Sequence, residues 1–112
     1  GAGQLSFVAQ SSGGTRPTVT TDNSGTDSTI SNPAASVLED IYLVDNGAAA
    51  VNITLPTVTS NSGYKVQVKR LGTDNVTITP ASGTIDGAAN IVLSVQFAAF
   101  TCVTDGTNWH II

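Results

Sequence analysis

The sequence predicts an all-β fold, a small β-sandwich or barrel behind an extended N-terminal arm. Three features lead there. Apolar and polar residues alternate in short runs, Gly, Asn, Asp and Pro interrupt those runs about every ten residues, and charge is scarce. Only 11% of the 112 residues are charged, against 40% apolar. A soluble domain normally carries about a quarter charged residues, so Thr, Ser, Asn, Gln and Gly must supply the polar surface. Little charge repulsion then keeps copies apart, which favours tight self-association.

Residues 1–40 are rich in Ser, Thr and Gly, with one apolar knot at Leu5-Ser-Phe-Val8 and a short strand candidate at Pro17-Thr-Val-Thr-Thr21. Alone, such a stretch cannot bury enough apolar surface to offset its ordering entropy, so it reads as an extended arm ordered where something else covers it. Residues 32–40 offer one helical turn, too short to stand unaided.

From residue 41 to 112 the pattern is strand and turn, and this segment is read as the sandwich domain. Ile41-Tyr-Leu-Val-Asp45 runs into Asn46-Gly47, a pair suited to a tight turn. In Val51-Asn-Ile-Thr-Leu55 the residues Val51, Ile53 and Leu55 share one face, and Pro56 stops the strand. Residues 64–69 place Val66 and Val68 inward and Lys65, Gln67 and Lys69 outward, while residues 75–79 place Val76 and Ile78 inward before Pro80. Further strands are expected at 91–94, 98–104 and 109–112. About 72 residues of sandwich without a disulfide or metal is near the lower limit for one core, so burial between subunits would relieve the shortage.

Candidate chemistry is sparse. Cys102 is the single cysteine, so no intrachain disulfide or multi-cysteine zinc site can form, and its alternation with Phe100 reads as a buried thiol. His110 is the single histidine. As a catalytic base it would need a nucleophile and an orienting carboxylate, and Asp86 and Asp105, each before a Gly, read instead as turn formers. No catalytic residue, cofactor or metal ligand is assigned. The net charge of −4, with Lys65, Lys69 and Arg70 read as a solvated strand face, argues against nucleic-acid binding. No apolar run is long enough to insert in a membrane as a helix. Trp109, Ile111, Phe100 and Tyr64 are the candidates for core or subunit packing. Asn61, in the 57–63 turn, and Thr73 and Asp74, in the 72–75 turn, are the candidates for recognition through loop tips.

The ordered series Val51-Asn-Ile-Thr-Leu-Pro56, Gly63-Tyr-Lys-Val-Gln-Val-Lys69, Val76-Thr-Ile-Thr-Pro80, Thr84-Ile-Asp-Gly87 and Val103-Thr-Asp-Gly-Thr-Asn-Trp109 resembles a module of bacteriophage virion proteins: the C-terminal domains and knobs of tail fibres, tail needles and head fibres. The likeness spans residues 41–112 and excludes the arm. It implies a homotrimeric β-sandwich, often of jelly-roll type, displayed on a virion beside other virion proteins. It further implies attachment to a host-surface glycan or protein without enzymatic activity. No heptads or shaft repeats precede the domain, which sets this chain apart from a complete fibre. Two alternatives stay open: a capsid decoration protein anchored through its N-terminal arm, and a carbohydrate-binding module using Trp109, Tyr42 or Tyr64 to stack on sugar.

Overall fold

The computed structural model describes residues 16–112, and the Leu5–Val8 knot lies outside the described residues. Among the described residues nine strands form two facing sheets, and none of these residues is helical. In chain order the strands are β1 (Thr18–Asp22), β2 (Ser28–Thr29), β3 (Glu39–Val44), β4 (Val51–Leu55), β5 (Lys65–Arg70), β6 (Val76–Pro80), β7 (Ile91–Leu93), β8 (Ala99–Thr104) and β9 (Trp109–Ile111). The five-stranded sheet has the order β9-β8-β5-β3-β1 and the four-stranded sheet the order β2-β4-β6-β7.

Through β6 the chain changes sheet at every step, so β1, β3 and β5 stack in one sheet and β2, β4 and β6 in the other. All four pairings in this part are parallel, because each strand returns to its own sheet only after crossing the other. In the four-stranded sheet the register repeats every 25 residues, as in Thr29↔Thr54 and Thr54↔Thr79. The last three strands pair antiparallel: β7 with β6, and β8 with both β5 and β9. A jelly roll is built from antiparallel Greek keys, so this connectivity departs from that expectation while keeping the two-sheet layering.

Alternation explains the packing. Val51, Ile53 and Leu55 of β4 meet Val66 and Val68 of β5 and Val76 and Ile78 of β6 in one apolar layer, joined by Ile30, Val44, Ile85, Cys102 and Trp109. Each fully buried side chain of this size contributes about 1.5–3 kcal/mol. Trp109 is wholly buried with its ring edge-on to Tyr64, centroids 6.3 Å apart.

Of the stretch read as a separate arm, the described residues 16–40 enter the sandwich. Pairing with the edges of β3 and β4 supplies β1 and β2 with the backbone partners and apolar contact that their composition lacks, and Ile30 is 2% exposed. The helical turn expected over 32–40 is instead a single turn followed by β3, which starts at Glu39. Pro80 closes the ladder of β6 opposite Leu55 rather than lying beyond it. Arg70 is also not on a solvated face. Two residues beyond Val68, it points inward at 4% exposure, with its guanidinium donating to the carbonyls of Gly72 and Leu93.

One glycine fixes how the turns dock. Gly83 has φ +72° and packs against the 107–108 backbone, where a Cβ would strike Thr107 O. Gly83→Ala should therefore lower stability by more than ~1 kcal/mol in urea unfolding, combining backbone strain with a clash. Trp109→Ala should cost about 3–5 kcal/mol in the same measurement, because it empties the largest buried site.

Candidate functional site

The crossing pattern sorts the connections to two opposite ends of the sandwich. Parallel strands β1, β3 and β5 all begin at one end, called here the upper end, and β2, β4 and β6 all finish there. The upper end therefore gathers the 30–38, 56–64, 81–90 and 105–108 connections. The lower end gathers 23–27, 45–50, 71–75 and 94–98. The two loops expected to act in recognition are thus separated by the length of β5, about 20 Å for six residues of strand. Asn61 lies at the upper end, and Thr73 and Asp74 lie at the lower.

At the lower end Thr73 and Asp74 are tied into the turn packing. Thr73 donates from its backbone and hydroxyl to Gly47 O, and Asn46 donates from its side chain to Ala49 O and Asp74 O. Gly72 is pressed so closely on the Asn46 side chain and the Gly47 backbone that a Cβ would collide with both.

The upper end holds a cleft of about 180 Å³ between the 33–38 and 60–64 segments. Pro33, Val37 and Leu38 make one wall, while Ser60, Asn61 and Ser62 make the other. Asn61 donates from its side chain to Thr57 O at 2.7 Å and accepts from Tyr64 N through its backbone carbonyl. Ser60 is held at φ +65°, an uncommon conformation for a residue with a side chain. Tyr64 sits behind the cleft, 4% exposed, with its hydroxyl donating to Asp40 at 2.5 Å. Burial, reinforced by Asp40, raises the phenol well above its ordinary range, so it remains a neutral donor.

Beside the cleft the β8–β9 hairpin brings three titratable groups together. Asp105 accepts from the amides of Thr107 and Asn108 at 2.8 Å each, and its second oxygen lies 2.9 Å from His110 Nε2. Asp86, at φ +49°, accepts from Ile111 N at 3.2 Å and lies 3.8 Å from His110 Nδ1. Both aspartates are turn residues, as the sequence indicates, and both also flank the imidazole. Sequence reasoning missed that grouping. The one available signal was His110 five residues after Asp105 across a tight hairpin; Asp86 arrives through tertiary packing. All three side chains are about half exposed. The imidazole is engaged by carboxylates rather than by a hydroxyl or thiol nucleophile. Among the described residues no three His, Cys, Asp or Glu side chains are placed to hold a metal ion.

Cys102 is buried at 0% exposure, its thiol directed at Val66 O, and desolvation pushes its pKa up to about 12. Of the packing candidates, Trp109 and Tyr64 are in the core, Phe100 is partly buried against it, and Ile111 is 39% exposed at the end of β9. No protein-family model, curated protein or solved structure matches the chain.

Two outcomes follow. The turn amide of Asn108, with His110 and the Thr107 amide, holds the Asp105 carboxyl far below the usual carboxylate range. A depressed folded pKa means that its stabilisation is fully present above the unfolded value of about 4 and is lost as pH falls toward the folded one. In Asp105→Asn, stability measured by urea titration should therefore fall less steeply below about pH 4 than in the parent. The Cys102 thiol should resist a disulfide reagent in the native protein and react fully once denaturant unfolds it.

Proposed function

We propose that the chain is a non-enzymatic virion protein of a bacteriophage, a homotrimeric fibre or knob domain displayed on the particle and used in attachment to the host surface. The observation that carries this reading is the ordered motif series of residues 51–109. Its strands β4, β5 and β6, together with Ile85 and Trp109 beside the Asp86-Gly87 and Asp105-Gly106 turns, contribute side chains to one core.

Surface composition supports assembly. Val19, Val92, Val95, Phe97 and Ile112 are exposed, between 45% and 67%, on a surface poor in charge. Such side chains are available to subunit contacts, and burial between copies supplements a small core. The other readings draw less support. Trp109 is buried and offers no sugar-stacking platform, and β1 and β2 belong to the sheets rather than to a free anchor.

Light scattering at micromolar concentration should give three times the 11.4 kDa chain mass, unchanged by chelator and reductant; a monomer contradicts the trimer. Fluorescently labelled protein should bind a subset of strains in a panel of intact bacteria and leave their purified surface polysaccharides unshortened. Failure to bind any strain contradicts attachment, and shortened chains contradict the non-enzymatic assignment.

A further inference from the structure

The upper cleft has a chemistry of its own. None of its lining residues is charged, although Asp40, Asp86, Asp105 and His110 lie at the same end of the fold. An ionic ligand entering it would lose hydration without gaining a counter-charge. The two walls differ in kind: Pro33, Val37 and Leu38 are aliphatic, and Ser60, Asn61 and Ser62 carry hydroxyl and amide groups. Leu38 is 53% exposed, so the apolar wall is open to a ligand. The polar wall is preorganised. The Asn61 amide is anchored on Thr57 O and keeps acceptor capacity on its side-chain oxygen, and Ser60 is fixed in its left-handed conformation.

We propose that this cleft binds a neutral 6-deoxyhexose unit of a surface glycan; the inference rests on the attachment reading and names its ligand. The volume of about 180 Å³ lies below the roughly 300 Å³ at which sites for drug-sized ligands begin, and it suits a single sugar unit. Ordinary hexoses are commonly held by stacking a C–H face on an exposed aromatic ring, but Tyr64 and Trp109 are 4% and 0% exposed. What the cleft offers is an aliphatic wall facing hydrogen-bonding groups. A 6-deoxyhexose matches it, with its C6 methyl against Leu38 and Pro33 and its ring hydroxyls on Ser60, Asn61 and Ser62. A single shallow site binds weakly, and three copies on one particle raise the avidity.

Saturation-transfer NMR tests this with methyl α-L-rhamnopyranoside and methyl α-L-fucopyranoside, compared with methyl α-D-mannopyranoside, methyl α-D-galactopyranoside and N-acetylneuraminic acid. The expected result is transfer from at least one deoxy sugar, strongest at its C6 methyl, and weaker from the three comparison sugars. Leu38→Asp and Asn61→Ala should each weaken the affinity by roughly tenfold, about the worth of one lost contact. Ser94→Asp, exposed in the lower-end 94–98 connection, should leave it unchanged. Circular dichroism and Trp109 fluorescence establish that each variant is folded. No transfer from any deoxy sugar, equal or stronger transfer from a comparison sugar, or undiminished binding in folded Leu38→Asp overturns the proposal. The two readings fail separately. Cell binding that survives Leu38→Asp unchanged rejects the cleft and keeps attachment, and sugar binding by a protein that no cell retains keeps the cleft and rejects attachment.

Discussion

The apolar layer between the two sheets is the constraint on which everything else in this protein depends. Each sheet contributes one face of it, Val66 and Val68 from β5 opposite Ile53, Leu55, Val76 and Ile78 from β4 and β6. Neither sheet can exist alone, since each would expose this face to water. As far as β6 the chain meets the demand by crossing the layer at every connection, so that each pass adds a short strand to both sides. The result is a stack in which successive turns of chain place equivalent residues in register, Ile53 beside Ile78 and Val51 beside Val76. The antiparallel strands β7, β8 and β9 then end the stack, and β9 contributes Trp109, its largest buried side chain.

From this constraint comes the division of the surface. Because the chain crosses between sheets in the same sense at each pass, every β4-to-β5 type of connection emerges at one end and every β5-to-β6 type at the other. The ends differ in chemistry. The lower one is closed by turn-to-turn hydrogen bonds around Asn46, Gly47 and Gly72 and by the buried Arg70 guanidinium. The upper one is open, with an uncharged cleft beside a hairpin whose Asp105 and His110 are solvated. Loops positioned by a rigid scaffold are where recognition is usually placed, and the cleft of the upper end is a concave surface of that kind.

Much of the fold is legible in the sequence, for a local reason. Period-two alternation marks β4, β5 and β6 within a residue of their observed ends, and the inward set read from it lies within the observed core. The direction of pairing is not legible. Thr54 between Thr29 and Thr79 looks the same in either orientation, and a 25-residue register shared by strands of differing sequence leaves no repeat to see. The roles of β1 and β2 are hidden likewise, because Thr18–Asp22 is polar and is ordered by β3 rather than by its own composition. At the site, Asn61 was visible as a turn residue, yet its partner wall of Pro33, Val37 and Leu38 lies far off in sequence and meets it through stacking of consecutive turns. Arg70 was misread for a related reason, since charge outweighed the alternation that placed it inward with Val66 and Val68.

The central claim is that partners meet this protein at the upper end of the two-sheet stack. Hydrogen–deuterium exchange, with and without surface polysaccharide from a strain that the labelled domain binds, tests it most directly. The account predicts added protection in the 33–38, 60–64 and 105–108 segments and none in 45–50, 71–75 and 94–98. Protection confined to the lower-end segments would contradict it.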